Sequence, residues 1–454
     1  MRRLKSLLSE LRSSLWFVPA LMVAGGGALA VGLIEVDARL NREMLANFPR
    51  LFGAGAEGSR GMLSSIAGSM ITVAGVTFSI TIVALSLASS QYTSRILRNF
   101  MRDRANQAVL GVFVGIFTYC LIVLRTIRGG DENLFVPSLA VVVGVMLAVV
   151  GIGFLIFFIH HIAASIQASN IIASAAEETI KAVDNLFPQE LGEEGDGEDD
   201  EVETQKVVLA ETRRRVVPSR KTGYVQSIDE AALVQLATKY ETTLRMEHGV
   251  GDFVVEGSPL ASAYLDAEAD EQFTDKLNGI YQISRNRTVE HDPAFGIRQI
   301  VDIALKALSP GVNDTTTAVT CVDYLSAINA RLANRRIETP LRFDQDALRV
   351  IVKGPTFESL LTESFDQIRR SAEGNVAVIV RLLQALETIA GRTTDEPRLR
   401  RIAQHACLLD SLADRTIAPA HDRLKIRECV ARLTMKLDEA APDRSLAGQG
   451  HNQR

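Results

Sequence analysis

Four uncharged runs within the first 160 residues constrain this chain more than any other feature. They are Leu15 to Ile34, Ile66 to Ser90, Gln107 to Leu124 and Leu134 to Ile159. A hydrocarbon core of about 30 Å takes about 20 apolar residues in helical form. Helices buried in soluble cores rarely exclude charge over so many turns. The runs are therefore read as four transmembrane helices in a domain covering residues 1–166, with an ordinary charged composition after it.

Orientation follows from basic residues in short loops. The N-terminal segment carries Arg2, Arg3, Lys5 and Arg12. The loop after the second run carries Arg95, Arg98, Arg102 and Arg104 against Asp103 alone. The other two loops mix both signs. Both basic segments fall on one side of a four-span chain, so the N-terminus and everything after the fourth span are expected in the cytoplasm. The start also resembles a signal peptide, with Ala28-Leu29-Ala30 as a cleavage-like site. Because the apolar run continues past that site, a retained span is the preferred reading.

The second run is the most informative. Ser65, Thr72, Ser79 and Ser86 recur every seven residues, and Ser69, Val76, Val83 and Ser90 form a second row. At about 100° per residue the two rows share one helix stripe. Gly61, Gly68 and Gly75 run beside it, while Ile71, Val73, Phe78, Ile82 and Leu85 take the other faces. Two readings stay open. Small residues let helices approach closely and hydroxyls bond across the contact, which is the preferred reading. Alternatively, the eight stripe residues line an aqueous pathway, which in so small a protomer requires a homo-oligomer. Arg95, Arg98, Arg102 and Arg104 are read as anchors on lipid phosphates, or as a cytoplasmic mouth that favours an anion or small solute. With no Asp, Glu or Lys inside a run, a proton relay or carboxylate cation site is not expected. His160 and His161 close the fourth run.

After the spans, Ala163 to Asn185 reads as a continuation of the fourth helix, stopped by Pro188, so that 167–188 form a membrane-exit helix. Residues 189–222 read as a flexible linker. Its Glu190–Glu203 block holds nine acidic residues and no basic one and cannot bury a core. Arg213, Arg214, Arg215, Arg220 and Lys221 follow.

Residues 223–265 read as a small β-rich module. Gly223-Tyr224-Val225-Gln226 is a strand, Asp229 to Tyr240 a capped helix, Thr242 to Met246 a strand, and Gly251 to Leu260 a hairpin-like alternation. The module resembles barrels that carry lipoyl or biotinyl groups, yet it has no acceptor lysine at the hairpin. Residues 266–439 read as a helical domain, with 3.6-residue periodicity in Asp266–Tyr281, Ala294–Leu308, Thr315–Leu332, Phe357–Ile389 and Pro397–Asp414. Leu341 to Val352 is a strand candidate, and 440–454 a disordered tail. The fold class is thus a membrane α-helical domain of four transmembrane helices plus a cytoplasmic α+β domain with a β-rich module and a helical C-terminal part.

A net charge of −5 offers no basic field, so nucleic acid is not an expected partner. Cys120, Cys321, Cys407 and Cys429 show no metal or redox spacing and read as free thiols. No cofactor and no metal site is expected.

One further set of residues resembles a family signature. It comprises Asp292-Pro293-Ala294-Phe295-Gly296-Ile297-Arg298-Gln299, then Asp302-Ile303-Ala304-Leu305 and Ala307-Leu308-Ser309-Pro310-Gly311-Val312-Asn313-Asp314. Gly251-Asp252-Phe253-Val254, Ser69-Met70-Ile71-Thr72-Val73-Ala74-Gly75 and Ser89-Ser90-Gln91-Tyr92 accompany it. Over nearly its whole length the chain resembles the domain-of-unknown-function 2254 family of bacterial membrane proteins. The resemblance implies a bacterial inner-membrane location and brings no activity with it.

Ser309 to Asp314 also reads simply as a helix stop followed by a helix cap. In a functional version, Glu290, His291, Asp292, Asp302, Asn313 and Asp314 gather around a polar pocket that holds Mg²⁺ or acts as acid and base; with Arg298, the residues Asp292, Asp302, Asn313 and Asp314 form the polar cluster of the signature. His291-Asp292 and His421-Asp422 superficially resemble metal phosphohydrolase pairs. The sequence-level conclusion is a homo-oligomeric channel or transport-like protein in the lipid bilayer, with no catalytic residue assigned. The alternative is a membrane-anchored ligand sensor or scaffold.

Overall fold

The computed structural model describes residues 16–39, 55–91, 103–128, 135–189, 214–264, 270–345 and 347–440. These form two units, divided between Ile171 and Ile172. The acidic block, Arg95, Arg98, Arg102, Arg213 and the tail from 441 lie outside the described residues.

The N-terminal unit holds four helices long and apolar enough to cross a membrane: α1 (Phe17–Arg39), α2 (Ala56–Gln91), α3 (Arg104–Thr126) and α4 (Ser138–Ser165). Helix α3 is central, with half of its apolar stretch buried against 6% for α1. Glycines set the spacing. A Cβ at Gly26 of α1 would stand 2.6 Å from the carbonyl oxygen of Gly115 on α3, and one at Gly144 of α4 would stand 2.9 Å from the Leu63 side chain of α2. Small residues that admit such approaches drive helix association where lipid offers no hydrophobic contrast. Leu63, Phe113, Tyr119, Val123 and Phe158 form the core.

Helix α1 runs past Ile34 and takes in Glu35 and Asp37. The expectation that no carboxylate lies within a spanning helix is thereby corrected. Asp37 is buried and accepts hydrogen bonds from the backbone N–H groups of Leu139 (3.2 Å) and Ala140 (2.9 Å). These are orphan donors at the start of α4. A second correction concerns the exit from the membrane. Helix α4 ends at Ser165, and α5 (Ala168–Leu186) begins anew, with the Asn170 amide donating to the Ala164 carbonyl across the break.

The C-terminal unit combines two sheets with a helical array. Its strands are β1 (Arg214–Pro218), β2 (Gly223–Ile228), β3 (Leu244–Met246), β4 (Phe253–Val254), β5 (Pro259–Tyr264), β6 (Tyr281–Ser284), β7 (Leu341–Asp344) and β8 (Ala347–Ile351). One sheet has the order β1-β5-β3-β8-β7 and the other β4-β2-β6. Only the β3–β8 pair is parallel among the described strands. Helices α6 (Glu230–Lys239) and α7 (Glu271–Ile280) bury Leu233, Leu236, Phe273 and Leu277 against the sheet residues Val225, Leu244, Leu260 and Val350.

The remaining helices are α8 (Pro293–Ala307), α9 (Thr315–Ala333), α10 (Phe357–Ser371), α11 (Val376–Ala390), α12 (Glu396–Thr416) and α13 (Ala420–Ala440). Side chains of Asp229, Asp270, Asp292, Asp314, Thr356, Asn375 and Asp395 cap α6 to α12 in turn. Each satisfies an amide that the helix itself cannot.

Four sequence expectations change here. The Gly251–Leu260 hairpin does not form, because β4 pairs with β2 while β5 pairs with β1 and β3. Arg214–Pro218, placed in the flexible linker, is an edge strand with Val217 buried. The β-rich module does not close at 265, since β6, β7 and β8 complete its sheets. Phe357–Ile389 is two helices: Gly374 turns the chain at φ +72°, a conformation glycine tolerates, and Asn375 restarts it.

Candidate functional site

The buried row of α2 is Ser59, Leu63, Ala67, Met70, Ala74, Thr77 and Ala84. At about 100° per residue the hydroxyl stripe points about 180° away from that row. Ser65, Ser69, Thr72, Val76, Ser79, Val83 and Ser86 are all exposed on the single chain. Ser90 belongs to the same helix, and its side chain is outside the described residues. A Cβ added at Gly61, Gly68 or Gly75 would meet nothing within 4 Å. Among the described residues nothing packs against the small-residue row. Bulky side chains flank the stripe, Ile71, Phe78 and Ile82 on one side and Met62, Ile80 and Leu87 on the other. Two stripe hydroxyls are held by their own helix: Ser69 donates to the Ser65 carbonyl and Thr72 to the Gly68 carbonyl, each at 2.8 Å.

Near the other end of this unit, Asp103 accepts from the Ala105 amide at the start of α3 and pairs with His161 at 2.5 Å. Arg104 is exposed beside it, and it is the one member of the expected arginine group within the described residues.

The family-signature residues of the C-terminal unit do not converge. Asp292 is buried at the start of α8, where it accepts from the Phe295 amide and pairs with Arg287 at 2.8 Å. One and a half turns along the helix, Arg298 bridges Asp302 (3.1 Å) and Glu363 of α10 (2.9 Å). Asn313 and Asp314 lie beyond the far end of α8, roughly 22 Å along its axis from Asp292 at 1.5 Å per residue. Asn313 adopts a left-handed backbone, φ +49°. Asp314 caps α9, and the hydroxyl and amide of Thr317 hold its carboxyl below the usual carboxylate range. Glu290, His291 and His421 are exposed. These residues fold the α8–α9 corner rather than build one pocket. Among the described residues no group of three or more His, Cys, Asp or Glu side chains is placed to hold a metal ion.

A polar site that the sequence reading passed over lies on α5. Asp184 binds Arg331 (2.8 Å), in the last turn of α9, and Arg335 (2.6 Å), two residues past its end. Burial pushes its carboxyl up, but hydrogen bonds and charge from the two guanidinium groups outweigh that and hold it below the usual range. Arg335 is buried and also donates to the Pro188 carbonyl. Farther along, Thr179 of α5 presses on Gly296 of α8, where a Cβ would stand 2.1 Å from the Thr179 hydroxyl. The clamp forms where α9 ends, with Arg335 beyond the helix, so no helical spacing in the sequence marked it. A second polar node is the Glu247 carboxylate, bound by Ser262 (2.6 Å) and Arg214 (3.0 Å).

Comparisons with known proteins agree with the membrane architecture. A family model described as "Predicted membrane protein (DUF2254)" matches residues 12–388. An uncharacterized protein of Mycobacterium bovis is 33% identical over 461 residues, which cover 99% of this chain and 86% of that protein. An uncharacterized protein of Mycobacterium tuberculosis H37Rv matches with the same identity and coverage. No solved structure matches the chain.

Proposed function

The chain belongs to the DUF2254 family of predicted membrane proteins, and from that premise we propose a homo-oligomeric channel or transport-like protein whose α2 helices face one another across a central pathway. The observation that carries this reading is the direction of the stripe. Ser65, Ser69, Thr72, Val76, Ser79, Val83 and Ser86 point away from the core of their own protomer. The outward face of α4 instead carries Met146, Val149, Ile152 and Ile156, side chains suited to lipid. Two outward faces of one small unit thus have opposite chemistry. A glycine and hydroxyl face gains nothing from lipid and fits a second copy of itself or water.

In this reading the bacterial inner membrane holds the spans, with both termini in the cytoplasm. Arg95, Arg98, Arg102 and Arg104 surround the inner mouth and favour an anion or small solute. Nucleic acid has no place in it. The second reading, a membrane-anchored sensor or scaffold without conduction, is favoured by one observation. Ser69 and Thr72 already bond to their own helix, so the stripe can sit against a neighbouring helix without water.

Reconstitution into liposomes separates the two. Under the first reading the intact protein passes small anions, and Ser79→Leu or Ser86→Leu lowers flux at least severalfold. Under both, Thr72→Cys in a Cys407→Ser background gives an oxidised cross-linked dimer that Cys407→Ser alone does not. Cross-linking without flux favours the scaffold. Failure of both measurements would sink the oligomer altogether.

A further inference from the structure

The C-terminal unit contains an open cleft of about 880 Å³ between α5, α9, α11 and the loop leading into α12. All of its lining residues belong to that one unit. Its size falls in the upper part of the range for small-molecule sites, about 300–1,000 Å³. The chemistry of its walls is divided. Ile180, Ala327, Ala330 and Ala390 supply an apolar part of the lining, mostly short side chains. Arg331, Asn334, Thr388, Arg392 and Thr394 supply a polar part. No lining residue among the described ones is acidic. Lys436 of α13 adds a third cation nearby, its Nζ within 3.5 Å of where a Cβ on Gly391 would be.

Two guanidinium groups with hydroxyl and amide donors are the recognition set of a phosphate, which guanidinium binds with two parallel hydrogen bonds. A bare phosphate would leave the apolar part of the lining empty, so the cleft fits an organic group that carries phosphate. One polar lining residue already has another task. Arg331 donates to Asp184 of α5 through Nε at 2.8 Å and NH2 at 3.3 Å. Arg335, buried behind it, holds the same carboxylate at 2.6 Å and also binds the Pro188 carbonyl. Arg335 is the fixed anchor. Arg331, exposed at the cleft, is the exchangeable one.

We infer that this cleft binds a small phosphate-bearing organic molecule, whose phosphate draws Arg331 away from Asp184 and so loosens α5 from the helical array. Only Ile166 and Gln167 separate α5 from the end of the fourth span, so the site sits on the segment that joins the two units in sequence. The inference does not depend on conduction.

Linkage makes it testable, because whatever competes for Arg331 must compete reciprocally. The measurement is equilibrium dialysis of the full chain in detergent micelles with labelled ADP. Pyrophosphate and phosphatidylglycerol in mixed micelles serve as competitors, and thermal unfolding checks that each variant is folded. Saturable binding of ADP is expected. Arg392→Ala should weaken it by roughly tenfold or more, the usual effect of losing a charged hydrogen-bond donor. Asp184→Asn should tighten it by about fivefold or more, because the charged competitor for Arg331 is removed. Displacement by pyrophosphate identifies a soluble phosphate as the natural occupant, and displacement by phosphatidylglycerol alone identifies a lipid headgroup. Should neither ADP nor phosphatidylglycerol bind saturably, or should binding survive Arg392→Ala unchanged, the site is overturned. If binding holds but Asp184→Asn leaves it unaltered, the coupling to α5 is overturned. Were Asp184→Asn to unfold, proteolysis within α5 of the parent chain with and without ADP reads the same release.

Discussion

The two units hold polar side chains with a different balance of partners. In the N-terminal unit the partner is usually backbone. Asp37 accepts from the amides of Leu139 and Ala140, the Tyr119 hydroxyl donates to the Ala140 carbonyl at 2.6 Å, and Arg60 donates to the Ile127 carbonyl at 2.7 Å. The C-terminal unit also uses backbone partners, as Arg335 does at Pro188 and Arg398 at Leu332 and Ala333, but adds many pairs of side chain with side chain. Arg287 meets Asp292, Arg298 meets Asp302 and Glu363, Arg331 and Arg335 meet Asp184, and Arg381 meets Asp323. The difference follows from the solvent each unit is built for. In lipid the free ends of a helix cannot turn to water, so a polar side chain is most useful where it completes a backbone. In water those ends are cheaply hydrated, and charged side chains are free to bridge helices. The Asp103–His161 pair departs from the pattern, and it lies at the ends of the spans, at the start of α3 and within the last turn and a half of α4.

The sharpest way to break this comparison is Asp37→Ala. It leaves two buried amides at the start of α4 without their acceptor, which costs about 2–3 kcal/mol for a charged partner. The unfolding midpoint in detergent, followed by far-ultraviolet circular dichroism, should fall clearly, and Asp37→Asn should recover part of the loss through its carbonyl oxygen. An Asp37→Ala protein as stable as the parent would mean that water already reaches those amides, and the contrast between the units would disappear.

A smaller effect is expected at Gly296→Ala, which tests whether α5 is held by close packing as well as by Asp184. The added Cβ cannot coexist with the Thr179 hydroxyl, and overpacking of this kind costs about 1–3 kcal/mol. Cleavage by protease within α5 should become faster. Thr179→Ala in the same chain removes the colliding atoms and should restore most of the stability, a coupling that independent sites do not show. Additive effects of the two changes would refute the contact.

The architecture was largely legible in the sequence, and the sites only in part. Four charge-free runs gave four helices, because exclusion of charge over many turns has few other causes. Helix boundaries in the C-terminal unit followed from Asp229, Asn313-Asp314 and the apolar periodicity. What escaped was direction and partnership. The repeat of Ser65, Thr72, Ser79 and Ser86 marks a face but not what it faces, and the true core row of α2, Leu63, Ala67, Met70 and Ala74, is too plain to stand out. The strands β4 and β5 alternate as a hairpin would, yet their partners come from β2 and β1, distances along the chain that no local pattern encodes. Asp292 and Asp314 share a signature yet cap separate helices, because a continuous α8 keeps their positions apart. The Asp184 clamp joins residues 147 and 151 positions apart, and each of them alone reads as an ordinary surface charge.

The mildest test uses pH, to which side-chain pairing should respond and backbone capping far less. His405 is buried on α12, with Thr362 of α10 at 3.4 Å from its Nε2. Burial pushes its imidazole below the ordinary value of 6.5, against the raising effect of Asp366; Arg369 lowers it further and Glu358 raises it. The unfolded chain therefore takes up a proton at higher pH than the folded one. Stability contributed by the neutral ring is fully present above about pH 6.5 and is lost as pH falls from there through the depressed folded value. Unfolding of the C-terminal unit, followed in the full chain by hydrogen exchange, should become easier over that interval, while α3 and its contacts with α1 keep their protection. His405→Gln removes the titrating ring and should flatten this limb. A slope that persists in His405→Gln assigns the effect to another group, and equal loss of protection in both units would show that acid does not distinguish their two ways of holding charge.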